Sequence, residues 1–83
     1  MDVQGQVLKI LDEVLSLKGK ALAWSADTPL LGAIPELDSM AVVTLITAVE
    51  ERFGFSVADD EIDGSAFATV GALSEFVRVK LDA

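Results

Sequence analysis

Three stretches of the chain place their apolar residues at the three- and four-residue spacings of one helical face. Such spacing is typical of amphipathic α-helices, whose apolar side is buried against the rest of the fold. No stretch alternates between apolar and polar residues as a half-buried strand does. The three apolar faces are Val3, Val7, Ile10, Leu11 and Val14; Val42, Leu45, Ile46, Val49 and Phe53; and Val70, Leu73, Phe76, Val77 and Leu81.

Residues suited to helix ends flank these stretches. Asp38 and Thr69 are good N-caps for the second stretch and for the last one, and Gly54 is a good C-terminal stop for the second. Asp2 precedes the first stretch, where a negative charge favours the helix dipole, and Gly19 is a plausible end for it. The sequence therefore predicts three main helices.

A long connection joins the first two helices, from about residue 20 to residue 37. It contains both prolines of the chain, Pro29 and Pro35, and loops of this length in small domains are often functional. Its apolar side chains are expected to close one end of a helix bundle, with Trp24 as a loop anchor. These side chains are Leu22, Trp24, Leu30, Leu31, Ile34 and Leu37.

The acidic segment 59–63 is predicted to form a single turn or a short third helix that ends at Gly64. The prediction for the whole is an all-α four-helix bundle in one domain, residues 1–83, with three main helices, one short third helix and a long first loop. The same segment has the acids and the glycine of the front half of a calcium-binding EF-hand loop. However, Val70 stands where that loop needs a bidentate glutamate, so a solvated acidic turn is favoured.

The composition excludes several classes of function. The chain has 14 acidic and 6 basic residues, a net charge of -8, and neither histidine nor cysteine. Thiol and imidazole catalysis and Cys/His zinc sites are therefore excluded, and nucleic acids and anionic membranes are disfavoured by charge repulsion. Basic protein partners are favoured. With no long apolar run and no signal-peptide pattern at the N-terminus, we expect a cytoplasmic protein. We also expect it to be a monomer.

The strongest local signal for chemistry is Asp38-Ser39, where the long loop meets the second helix. A hydroxyl at this place is exposed, and the N–H groups of a helix N-terminus favour an attached phosphate. The alternative is a plain helix cap, which is the commoner use of such a pair. Without histidine a catalytic triad is not available, so a functional Ser39 is expected to be modified rather than to act as a nucleophilic catalyst.

Four stretches in order resemble the acyl carrier protein family: Asp38-Ser39-Met40, the helix end 48–54, the acidic segment 57–61 and the last-helix start 67–73. The resemblance implies a carrier that is not itself an enzyme. It further implies that Ser39 bears 4'-phosphopantetheine, transferred from coenzyme A by a Mg²⁺-dependent phosphopantetheinyl transferase. The arm's thiol would then hold an acyl or aminoacyl group as a thioester. Asp38 matches the family's acid beside the serine.

The resemblance also implies a partner-binding surface on the second helix. Met40, Val43 and Thr47 would form its main face, and Glu50 and Glu51 would meet basic partner surfaces. Residues 41–49 carry no charge, unlike the acidic helix of carriers for fatty-acid synthesis. The partner groove is therefore expected to be more apolar and less basic, as in a specialised carrier served by an acyl-activating ligase or synthase. The alternative function is a small acidic protein-binding module without a covalent cofactor.

Overall fold

The computed structural model describes residues 2–30, 32–34, 37–58 and 64–82. Three α-helices make up most of these ranges: α1 (Val3–Leu15), α2 (Ser39–Phe53) and α3 (Val70–Asp82). Two short 3-10 turns, Lys20–Ala23 and Gly64–Phe67, lie in the connections. The predicted all-α fold is thereby confirmed, while the short helix predicted at 59–63 lies outside the described residues. No helix in the described ranges is long and apolar enough to cross a membrane.

One hydrophobic core joins the three helices, with α1 packed against both α2 and α3. The apolar faces predicted from the sequence point into this core. Ten of their residues are buried, namely Val3, Val7, Ile10, Leu11, Leu45, Ile46, Val49, Val70, Leu73 and Val77. The others are partly buried and pack against the core. Helical periodicity therefore predicted which side of each helix is buried.

α1 ends earlier than the expected stop at Gly19. Ser16 and Lys18 both adopt left-handed backbone conformations, with φ of 54° and 57°. The chain turns back so that Leu17 is buried. The Asp12 carboxylate stabilises this turn, because the Gly19 N–H donates to both of its oxygens at 2.8 and 2.7 Å. The turn depends on the side chain of Asp12, seven residues before Gly19, which periodicity does not reveal.

The long loop contributes to the core largely as predicted. The prediction was wrong for Leu22, which is 55% exposed, because the first 3-10 turn directs Ala21 inward instead. Leu31 and Pro35 lie outside the described residues. The expected core contacts are made by Leu30 and Leu37, which are buried, and by Trp24 and Ile34, which are partly buried.

Backbone hydrogen bonds tie the middle of this loop to the start of α3. The Val70 N–H donates to the Thr28 carbonyl at 3.0 Å, and the Gly71 N–H donates to the Ala26 carbonyl at 2.8 Å. A Cβ on Gly71 would lie only 3.0 Å from that Ala26 oxygen, so a larger residue here would make the loop shift by a few tenths of an ångström. The loop is thus held against α3 before it turns toward α2.

Candidate functional site

The start of α2 is built by its N-cap. Asp38 has an extended backbone, with φ of -98° and ψ of -174°, and its Oδ1 accepts a hydrogen bond from the Ala41 N–H at 2.8 Å. The preceding Leu37 is buried and anchors the end of the loop. The N-cap predicted from the sequence is confirmed, and Ser39 is the first residue of the helix.

The Ser39 side chain is exposed and makes no hydrogen bond with any residue that the structure describes. The N–H groups of Ser39 and Met40 also have no acceptor within those ranges, as expected for the first turn of a helix. A phosphate on the Ser39 oxygen would be favoured by these N–H groups and by the helix dipole. The site therefore suits a hydroxyl that receives a phosphate ester.

A row of exposed side chains continues from Ser39 along α2, and we call it the α2 stripe. It consists of Met40, Val43, Thr44, Thr47 and Glu51, which are all exposed. Their spacing of i, i+3, i+4, i+7 and i+11 is the same as that of the buried face of this helix, displaced by two residues. Sequence reasoning found four of these residues and missed Thr44, which the three- and four-residue spacing from Met40 and Val43 would have identified.

Glu50 and Glu51 occupy different environments, although the resemblance implied the same role for both. The Glu51 side chain is exposed at the end of the α2 stripe. Glu50 is partly buried, and its Oε2 accepts a hydrogen bond from the Val57 N–H at 2.7 Å. One oxygen of Glu50 therefore holds the segment after α2 against the helix, a structural role that the sequence did not indicate.

A shallow groove of about 350 Å³ lies between α1 and the C-terminal half of α2. The Arg52 guanidinium reaches across from α2 to α1, donating to Gln6 Oε1 at 2.9 Å and to Glu13 Oε2 at 3.4 Å. The sequence pattern gave no sign of this bridge, because Gln6, Glu13 and Arg52 are far apart along the chain. The groove is lined by Ile10, Glu13, Ala48, Glu51 and Arg52.

Comparison with known proteins shows which family the chain matches. A family model described as "Phosphopantetheine attachment site" matches residues 5–77. The chain is similar to acyl carrier protein AsbD of Bacillus anthracis, at 33% identity over 76 residues that cover 92% of this chain and 81% of that protein. It is also similar to holo acyl carrier protein NE2163 of Nitrosomonas europaea, solved by NMR, at 51% identity with a TM-score of 0.91 and complete coverage of both chains.

The family match covers all of α2, most of α1 and α3, and the connections between the helices. The fold agrees with that of a solved holo carrier over the full length of both chains. The chain therefore belongs to the acyl carrier proteins, which bear 4'-phosphopantetheine covalently and act as carriers rather than catalysts.

Proposed function

We propose that Ser39 is the residue to which 4'-phosphopantetheine is attached. The observation that carries this proposal is the position of Ser39, exposed at the N-terminus of α2, with a hydroxyl that no described side chain engages. Asp38 supports the position by capping the helix through Oδ1. Its second oxygen has no hydrogen bond within the described ranges and could meet the Mg²⁺ or the basic groups of an approaching enzyme.

The protein itself contributes only the nucleophilic hydroxyl to the attachment reaction. Ser39 Oγ forms a bond to phosphorus as the diphosphate bond of coenzyme A breaks, 3',5'-ADP leaves, and the hydroxyl proton is released. With no histidine and no cysteine in the chain, the transferase supplies the base for this step. The attached group supplies the thiol that this sequence lacks, and that thiol holds the cargo as a thioester.

The cargo is an acyl or aminoacyl group that passes between partner enzymes. We place these enzymes in a specialised lipid or secondary biosynthetic pathway, because residues 41–49 of α2 carry no charge. The partners are the phosphopantetheinyl transferase and an acyl-activating ligase or synthase, which would contact Met40, Val43 and Thr47. Cytoplasmic location and a monomeric state stay predictions from the sequence.

The alternative function, a binding module without a covalent group, has less support. Its motivation was the uncharged surface of α2, which a carrier equally needs for its partner enzymes. The matched family is defined by its attachment site and covers residues 5–77. The calcium-sensor alternative rests on residues 59–63, which lie outside the described residues.

Mass spectrometry of the intact protein tests the proposal. The chain is incubated with coenzyme A, Mg²⁺ and a broad-specificity phosphopantetheinyl transferase, and wild type should gain one phosphopantetheine group. Ser39→Ala should gain none, whereas the control Ser56→Ala should gain one, because Ser56 is also exposed but lies in the link after α2. Modification of Ser39→Ala, or an unmodified wild type beside a control carrier that is loaded, would contradict the assignment.

A further inference from the structure

We infer that Gly71, at the start of α3, is a positioning residue for the attachment of 4'-phosphopantetheine to Ser39. It lets the long loop lie close against α3, and the loop in turn keeps the first turn of α2 folded around Ser39. This inference rests on the proposed function, because the attachment is the reaction that depends on where Ser39 lies. Gly71 belongs to another helix and acts through the loop.

The loop and the start of α3 are joined by a short antiparallel pairing of their backbones. Two hydrogen bonds run from N–H groups of α3 to loop carbonyls, as described for the fold. A third runs the opposite way, since the Leu30 N–H donates to the Ala68 carbonyl at 2.9 Å. Pro29 and Thr69 form an antiparallel bridge within the same pairing. Bonds in both directions hold the two segments in one register. We call the paired segments, residues 26–30 and 68–71, the loop clamp.

The loop clamp also supplies the N-terminal cap of α3. The first N–H groups of a helix have no acceptor within the helix itself. In α3 the N–H groups of Val70 and Gly71 donate to loop carbonyls, and the N–H of Ala72 donates to Thr69 Oγ1 at 3.1 Å. A substitution that moves the loop away from α3 therefore removes acceptors from the start of that helix. The loop and the helix start are thus stable only together.

Gly71 is a crowded point of the loop clamp. A Cβ at this position would lie 3.0 Å from the Ala26 carbonyl oxygen and 3.2 Å from the Ala26 Cβ. Both atoms are fixed to the loop backbone, so rotation of a side chain does not relieve the crowding. Alanine at position 71 would shift the loop by a few tenths of an ångström, and a larger side chain would shift it further.

Hydrogen-bonded turns lead from the loop clamp to α2. The carbonyl of the buried Leu30 accepts hydrogen bonds from the N–H groups of Ala33 and Ile34, both at 3.1 Å. The Leu37 N–H donates to the Ile34 carbonyl at 3.0 Å, and Leu37 is also buried. Asp38 follows directly in the chain. The position of Asp38, and with it the cap of α2, therefore depends on where the clamp holds Leu30.

The first turn of α2 is held by Asp38. Its Oδ1 accepts from the Ala41 N–H at 2.8 Å, and its carbonyl accepts from the Val42 N–H at 2.9 Å. Ser39 lies within this turn, and no described residue engages its side chain, so the helical backbone alone orients the hydroxyl. Misplacing a reacting group by about 1 Å can cost about 100-fold in rate. A loosened first turn would therefore slow the attachment.

Amide hydrogen exchange of the unmodified protein, measured by NMR, tests the coupling between the two helices. Gly71→Ala should raise the exchange rates of the Ala41 and Val42 N–H groups about three- to tenfold, and Gly71→Val should raise them further. Gly5→Ala is the matched control, because it makes the same change in α1, where the added Cβ would meet the Asp2 side chain instead of the loop. This control should leave both rates as in wild type.

The kinetics of attachment test the positioning of Ser39, with a broad-specificity phosphopantetheinyl transferase as the probe. Gly71→Ala should lower kcat about three- to fivefold and Gly71→Val about tenfold, because the hydroxyl is held less often in line for the transfer. The KM for the carrier should stay within about twofold of wild type, because the exposed surface of α2 is unchanged. Gly5→Ala should keep both values. Gly71→Ala, the smaller change, keeps the test valid if Gly71→Val does not fold.

Wild-type exchange rates at Ala41 and Val42 in Gly71→Ala would overturn the coupling. Equal acceleration of the Gly54 N–H, which donates to Glu50 at the other end of α2, would also overturn it, because the effect would then be a general loss of stability.

The positioning role fails if kcat for Gly71→Ala lies within about twofold of the Gly5→Ala value, or if only KM changes. These results would leave the assignment of Ser39 intact, because wild type would still be modified. Failure to modify wild type at all would instead contradict the proposed function, so the two failures are distinguishable.

Discussion

Replacing Glu50 with alanine should destabilise the fold, whereas the same replacement at the adjacent Glu51 should not. The reason is the hydrogen bond from the Val57 N–H to Glu50 Oε2, at 2.7 Å in partly buried surroundings. Removing the carboxylate leaves the Val57 N–H without its acceptor. Glu51 makes no such contact and is exposed.

The size of the effect follows from this contact. A hydrogen bond to a charged group contributes about 1.5–3 kcal/mol, and partial burial lets water replace some of it, so a loss of about 1–2 kcal/mol is expected at Glu50. Alanine also has a higher helix propensity than glutamate, and removing an acid near the C-terminus of α2 favours the helix dipole by a few tenths of a kcal/mol. These gains apply equally at Glu51. The two variants should therefore differ by about 1.5 kcal/mol in free energy of unfolding, or roughly 6–12 °C in Tm.

Urea denaturation followed by circular dichroism and by the fluorescence of Trp24, the only tryptophan, measures this difference. Glu50→Gln keeps an acceptor but not the charge, so its free energy of unfolding should lie between those of Glu50→Ala and wild type. Equal unfolding free energies for Glu50→Ala and Glu51→Ala, within about 0.5 kcal/mol, would refute the structural role of Glu50.

Three further variants test other contacts. Lys18→Gly should stabilise the protein by about 0.5–1 kcal/mol in thermal denaturation, because it relieves a left-handed residue, while Lys20→Gly in the following 3-10 turn should not. Asp12→Ala should lower the free energy of unfolding by about 1–2 kcal/mol in the same measurement, because the Gly19 N–H loses its acceptor. A decrease of less than about 0.3 kcal/mol would contradict the role of Asp12 in stabilising the turn. Asp38→Ala should lower the free energy of unfolding by about 1 kcal/mol, and Asp38→Asn should lower it much less, because asparagine also caps helices. If Asp38→Asn is stable but is not modified by the transferase, the charge of Asp38 itself is required.

Much of the site could be predicted because its signals are local. An acid beside a serine at the boundary between a loop and an apolar-periodic segment indicates a helix N-terminus, and Asp38 caps α2 as expected. The resemblance to carrier proteins then predicted the cofactor, which the family match supports, and Ser39 as its attachment residue, which stays a proposal; neither follows from spacing alone. Met40 and Val43 could be placed on the exposed side of α2 because the buried residues of that helix follow a clear period.

The sequence by itself determined the three helices, their buried faces, the caps at Asp38 and Thr69 and the stop at Gly54, because each depends on residues within a few positions of one another. Only the tertiary structure decided what depends on contacts between segments. Glu50 holds the chain after α2 through a hydrogen bond, whereas Glu51 makes no such contact with any described residue, because that chain turns back onto Glu50 alone. Arg52 bridges two helices for the same reason, since residues 13 and 52 meet only when α1 and α2 are packed together.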